Sequence, residues 1–228
     1  MSGFTRAGLR RGVKVALPLL IGLLPFALVV GVVSGGKGLT LAETVLMSAL
    51  VFAGASQLLA LELWADPVPL LAVGLAALVV NLRLLPMGAA LAPWFRHVRG
   101  WRVWLTLATM TDHVFAFSVP EERAGRLDVG FLLGVGLVSW AGWVVISAGG
   151  HLLGSAVRLG AGNPLFFAAV SAFVALLVPM WRDRRRDLLP WALAAVVAIG
   201  ANAAGWPPPV PLLLGALSGA ALGAWRAR

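Results

Sequence analysis

Cysteine is absent, charge is sparse, and acidic residues number only nine against eighteen basic ones. Without cysteine there can be no disulfide, no thiolate nucleophile and no cysteine-ligated metal, and the redox compartment leaves no trace in the chain. Histidine occurs three times, at His97, His113 and His151, with no spacing that would hold zinc. Charged residues make up 12% of the 228 positions. A soluble domain of this length alternates apolar with charged faces, and such faces are missing here. There is also no hydrophilic domain, no low-complexity tail and no clear internal repeat, so residues 1–228 read as one transmembrane domain.

What is present is apolar: 60% hydrophobic residues and a mean hydropathy of +0.93. Apolar segments fall at 13–33, 39–63, 67–95, 101–119, 129–157, 164–181, 189–205 and 208–225. A hydrocarbon core of about 30 Å takes roughly 20 helical residues, and backbone inside it must be satisfied as helix or as broken helix packed within protein. The expected fold is an all-α, polytopic integral membrane bundle of about 6–8 hydrophobic segments, some broken or re-entrant. The first thirty residues pair a basic start with an apolar run, like a signal peptide. The run contains Pro18 and Pro25, reaches the length of a full span and lacks a small-x-small cleavage site, which predicts an uncleaved first helix. Pro25, Pro86 and Pro179 lie inside segments, whereas Pro120, Pro164 and Pro190 mark ends, and 207–209 form a tight connection.

The formal net charge of +9 and the isoelectric point near 11.8 do not indicate nucleic acid, because the basic residues sit between apolar segments. They cluster at Arg6, Arg10, Arg11 and Lys14; at Arg96, Arg99 and Arg102; at Arg182 and Arg184 to Arg186; and at Arg226 and Arg228. That distribution belongs to a plasma-membrane protein with a cytoplasmic N-terminus. Eight simple crossings would then put Arg96 to Arg102 outside. Two non-crossing segments among 39–63, 67–95 and 101–119 would restore them to the inside, and broken helices of this kind build transporter sites near the midplane.

The exceptions to loop-bound charge are Arg83, in "VVNLRLLPMG" with Asn81 before it, and Asp112, in "LATMTDHVFAF" with His113 after it. A charge at the centre of a span costs about 2.5–3.5 kcal/mol and needs a partner or a wet cavity. Asp112 reads as a proton carrier or ammonium partner, or else as half of a structural ion pair with Arg83. Arg83 reads as a fork for a carboxylate, or as a side chain reaching the headgroups. Asn81 and Gln57 can hydrogen-bond a solute or join helices. In "LVFAGASQLLALELW" four small residues, Ala53, Gly54, Ala55 and Ser56, precede Gln57. Consecutive small residues clear every face of a helix, which suits an interruption that offers backbone to a solute and leaves a space lined by Ser56 and Gln57; the alternative is close helix packing. "GVVSGGKGLT" has phosphate-loop glycines and Lys37, but Gly38 stands where magnesium needs a hydroxyl. No nucleophile–base constellation is apparent. No enzyme, metal or cofactor is expected.

With those residues in view, the chain resembles the AzlC-type branched-chain amino acid permeases, the large subunit of a two-component exporter. The stretches that carry the resemblance are "GLLPFALVVG" (22–31), "FAGASQ" (52–57), "NLRLLPMGAAL" (81–91) and "TDHVFAF" (111–117). Carried over residue by residue, the family pattern picks out Gly54, Ser56, Gln57, Asn81, Arg83 and Asp112. His113 stands where the family usually has a glutamate, and a histidine there titrates nearer neutrality. The resemblance implies export of neutral amino acids such as valine, leucine, isoleucine or methionine, with a small AzlD-like membrane subunit as partner; Asp112 or His113 as a proton site would couple it to protons. Two other readings remain: a permease for another small zwitterion, and a non-transporting membrane scaffold.

Overall fold

The computed structural model describes residues 3–65, 67–156, 181, 183–206 and 210–226. The segment expected over 164–181 and the connection at 207–209 lie outside them, apart from Trp181, as do Arg182 and Arg228. Among the described residues all regular structure is helical, as an apolar environment without water to satisfy the backbone requires.

The bundle is organised around α9, Val129–Ala156, which at 1.5 Å per residue is about 42 Å long. α1, Arg6–Ala16, and α2, Leu19–Gly36, run beside it. Leu17 and Pro18 between them stay in right-handed helical geometry, so the pair forms one bent rod. Their neighbours on α9 rise in step: Leu9 lies against Gly134, Leu20 against Gly142, Leu28 against Gly150 and Val32 against Gly154. The rod and α9 are therefore parallel. Glycine makes the approach possible, since a Cβ on Gly31 would stand 2.0 Å from the Ser147 carbonyl oxygen. The end of the bundle that holds residues 3–5 and 128–130 is called the near end below.

From the far end the chain returns by two half-length helices. α3, Leu41–Val51, starts with a reciprocal cap between Thr40 and Glu43 and stops at Phe52, whose φ of 41° is left-handed. α4, Gly54–Glu62, then doubles back. Thr44 meets His151, and Ala49 accepts a hydrogen bond from Trp140 Nε1 at 2.9 Å, so α3 runs antiparallel to α9. Gln57 donates to Ser48 Oγ at 3.0 Å, which turns α4 back along α3. Segment 39–63 is a re-entrant hairpin.

α5, Leu70–Asn81, packs on α4 and leads through a break at Leu82–Arg83 into α6, Leu84–Ala90. Pro86 contributes to that break because it has no N–H to give the Leu82 carbonyl. After α6, Leu91 and Trp94 join Ala16, Val129 and Phe131 in an apolar cluster towards the near end. Segment 67–95 therefore crosses. α7, Trp101–Ala108, starts beside Phe4, over whose ring the Arg102 guanidinium sits at 4.5 Å, and ends with Thr109 against Gly136. α8, Asp112–Arg123, returns to the near end, where Glu121 meets Arg11 at 2.5 Å. Segment 101–123 is a second re-entrant hairpin, entering from the opposite end to the first.

These two hairpins correspond to two of the three segments, 39–63 and 101–119, named in the sequence as candidates for not crossing. Val98 lies next to Gly3, so residues 96–102 share the near end with the N-terminus. Three apolar helical stretches among the described residues are long enough to cross: 19–36, 73–90 and 129–154. A repeat also emerges that hydropathy hid. Crossing-then-hairpin occurs over 6–62 and recurs with opposite sense over 70–123. α10, Arg184–Ala203, and α11, Val210–Arg226, pack on each other as a pair. Pro190 is inside α10 and Pro120 inside α8, instead of marking their ends.

Candidate functional site

Each of the three broken segments breaks where it meets the others. At the first hairpin tip Ala53 is extended, and no side chain caps α4. The first bond of that helix runs from the Gln57 N–H to the Ala53 carbonyl at 2.9 Å, so the N–H groups of Gly54, Ala55 and Ser56 precede it. At the second tip Thr111 is extended and α8 is likewise uncapped by a side chain. Thr111 Oγ1 is buried with no hydrogen-bond partner among the described residues. Two helix N-termini from opposite directions thus open onto one place, each carrying partial positive charge.

Arg83, at the break of the crossing helix, places Nη2 3.1 Å from Asp112 Oδ2 on the second tip. The space between is lined by Ala53, Gly54, Ala55, Arg83, Thr111, Asp112 and His113, with Leu23, Phe26, Phe52 and Trp143 as the apolar wall and Ser139 from α9. Phe26 and Trp143 meet edge to face at 5.4 Å. The cavity is small, about 60 Å³, the share of roughly two liquid waters.

Four of the residues singled out in the sequence, Gly54, Arg83, Asp112 and His113, therefore line one space. The other three do not. Gln57 is fully buried. Its oxygen accepts from Trp143 Nε1 at 2.8 Å while its nitrogen donates to Ser48, so it braces the wall from behind. Ser56 and Gln57 border a separate, almost wholly apolar cavity of about 380 Å³ between α3, α4 and α5. A space does lie beside Ser56 and Gln57, but it is separate from the one at the ion pair. Only the opening residues of a helix offer backbone N–H groups, and Gln57 already stands past them. Asn81 ends α5 and does not line the site; its Oδ1 is buried without a partner among the described residues. Phe26 lay inside a recognised stretch, but nothing in the sequence singled out Trp143, which looks like one more apolar residue of a long span.

A second polar centre closes the near end of the second hairpin. Glu121 accepts from Arg11 and from Arg126, the latter through Nε at 3.0 Å and Nη2 at 2.9 Å. The hydrogen bond from Arg126 chiefly holds the Glu121 carboxyl below its ordinary range; burial opposes this, and the charge of Arg11 reinforces it. Asp128, beside it, accepts from the Thr5 N–H and hydroxyl and from the Gly130 N–H. In the sequence these charges had passed for loop residues.

Two opposed hairpins and a broken crossing helix meeting at an ion pair define an all-helical integral membrane protein with a polar centre inside its bundle. The chain belongs to the AzlC protein family, whose pattern matches residues 18–157. A protein of Archaeoglobus fulgidus named only as a membrane protein is 30% identical over 226 residues, 95% of this chain and 94% of the relative. Inner membrane protein YgaZ of Escherichia coli is 25% identical over 214 residues, 91% and 86% of the two chains. The branched-chain amino acid transport protein AzlC of Bacillus subtilis is 22% identical over 202 residues, 86% and 79%. No solved structure matches the chain.

Proposed function

We propose that this chain transports neutral amino acids of the branched-chain type across the plasma membrane, outward and coupled to protons, as the large subunit beside a small AzlD-like membrane protein. The observation that carries the reading is the meeting of Arg83, Asp112 and two uncapped helix N-termini at one cavity. A zwitterion supplies one carboxylate and one ammonium, and this site has a partner for each. The carboxylate takes Arg83 or a helix N-terminus, and the ammonium takes Asp112. Substrate would thereby replace an internal ion pair with two external ones at no change in net charge. His113, beside Asp112, is the candidate proton carrier. The cavity is narrow and only partly enclosed, with Arg83 and Asp112 keeping 40% and 45% of their side-chain surface exposed, so the hairpin tips would part further to admit a substrate. With the near end cytoplasmic, Arg6, Arg10, Arg11, Arg96, Arg99 and Arg102 all lie inside, as the charge bias of membrane proteins favours.

The test is counterflow of labelled valine and leucine in proteoliposomes holding the chain with its small partner. The expected result is uptake above empty vesicles, competed by methionine and not by lysine, and lost in Asp112→Asn. Wild-type transport by Asp112→Asn would refute the role given to that carboxylate. The direct Arg83–Asp112 contact favours one second reading, a scaffold in which the pair only joins helices. Replacing both residues with apolar ones of similar volume separates the two: a scaffold keeps its assembly and loses nothing, whereas a transporter loses flux.

A further inference from the structure

A cavity of about 570 Å³ lies away from the hairpin tips, at the near end. Its walls come from the start of α1, the turn after α6 and the loop before α9, and include Arg11, Trp94, Arg96, His97, Arg126 and Asp128. Its size is that of a small-ligand pocket, typically about 300–1,000 Å³. Charge around it is unbalanced. Asp128 already accepts three hydrogen bonds, from Thr5 and Gly130, and Arg11 and Arg126 share the single carboxylate of Glu121. Arg96 has no hydrogen bond or ion pair among the described residues, and neither has His97. Three guanidiniums thus face two carboxylates, before any contribution from His97. Trp94 adds an independent signal: it is 1% exposed, yet its indole N–H has no acceptor among the described residues. A buried donor left without a partner costs about 1–3 kcal/mol, a cost that an incoming acceptor would remove.

We propose that this cavity binds a phosphate-bearing anion presented at the membrane surface, the headgroup of an anionic phospholipid, with Arg96 and His97 as its principal partners and the Trp94 indole as a further donor. Guanidinium groups suit phosphate through paired N–H donors, and basic pockets on the cytoplasmic side of helical membrane proteins face the anionic leaflet. Trp101 and Trp104, both exposed on α7, which starts just after the Arg96–His97 turn, place the cavity at the depth of the aromatic belt. The assignment rests on the near end being cytoplasmic, as proposed above, and not on what is transported.

The test is equilibrium binding to the purified full chain in neutral detergent, using short-chain phosphatidylglycerol, short-chain phosphatidylcholine and inorganic phosphate at matched ionic strength. Phosphatidylglycerol is expected to bind at least about tenfold more tightly than phosphatidylcholine, and Arg96→Gln with His97→Gln to erase that margin, one charged hydrogen bond being worth about that factor. The double variant should keep the wild-type melting temperature, because both residues are exposed and neither side chain makes a hydrogen bond or ion pair within the described residues. Trp94→Phe keeps the ring and should weaken phosphatidylglycerol binding about threefold or more. If inorganic phosphate matches phosphatidylglycerol and responds to the same substitutions, the phosphate site stands and a soluble anion is its source. Equal binding of both lipids, or binding unchanged in the double variant, overturns the proposal.

Discussion

Gln57 is the residue for which two roles predict opposite results. Its amide is fully buried, bonded on one side to Trp143 Nε1 at 2.8 Å and on the other to Ser48 Oγ at 3.0 Å. If it only braces the hairpin, stability suffers first. Trp143→Phe deletes the indole N–H and strands the Gln57 oxygen in a dry interior, at a cost of about 1–3 kcal/mol for the unmet acceptor, with a further loss from the smaller ring. Gln57→Leu removes the oxygen but leaves the Trp143 N–H unmet, at a comparable cost. Because both substitutions break the same bond, the double variant should cost less than the two singles added. A coupling of about 1 kcal/mol or more is expected for groups in contact. Denaturant unfolding in mild detergent measures all four proteins, and counterflow measures the half-saturating leucine concentration in each. The bracing role predicts lost stability with unchanged half-saturation in whatever protein remains folded. Full stability in Gln57→Leu together with weakened leucine binding would refute it and return Gln57 to the substrate site.

Gly54→Ala would put a methyl group 2.2 Å from Phe26 Cε1 and 2.6 Å from Trp143 Cη2; overpacking of that kind costs about 1–3 kcal/mol, so a melting temperature equal to wild type would show that the tip does not press on this wall. Glu121 is held below its ordinary value of 4.5, so its contribution is fully present above that pH and is lost as the pH falls through the lowered value. Glu121→Gln should reduce stability at neutral pH and flatten the acid limb of the curve, and an unchanged acid limb would count against the cluster. At His151 the hydrogen bonds fix the tautomer. Ser34 spends its proton on the Gly31 carbonyl at 2.7 Å, and Thr44 then donates to Ser34 Oγ at 2.8 Å, so Nδ1 of His151 must donate to Thr44 at 2.9 Å. Nitrogen-15 chemical shifts of the His151 ring should report a protonated Nδ1, and an Nε2–H neutral ring would contradict the chain of donors.

Helicity, membrane residence and the three broken segments were legible because their causes are local. A proline without an N–H, a run of small residues and a costly mid-span charge each mark the chain at the position they affect. Whether a broken segment crosses or turns back was not legible, since both options bury the same residues with the same hydropathy. That choice rests on contacts far apart in sequence: Trp140 with Ala49 turns the first hairpin, and Arg11 with Glu121 anchors the second. Basic residues 96–102 were the one local clue, and they pointed the right way. Within the site, Arg83 and Asp112 stood out by the price of burying charge. Gln57 stood out for the same kind of reason, although its amide faces a tryptophan that apolar composition had hidden.

The opposed hairpins suggest why an ion pair belongs at the tips. Each tip is reached from one end only, and each hairpin is held by its own bonds: the first by Gln57 to Trp143 and Trp140 to Ala49, the second, at its near-end base, by Glu121 to Arg11. Withdrawing either hairpin would open the centre towards its own end while the other stayed closed, the geometry that alternating access needs. Arg83 and Asp112 lie on different elements, the crossing helix and the second tip, so withdrawal of the second hairpin would separate them. Both side chains are partly exposed, at 40% and 45%, so parting them leaves two half-solvated charges without their partner. Under the proposed function a bound zwitterion would supply new partners, taking Arg83 with one end and Asp112 with the other. Loaded protein should therefore open towards the near end more readily than empty protein, which would keep the empty cycle from running as a leak.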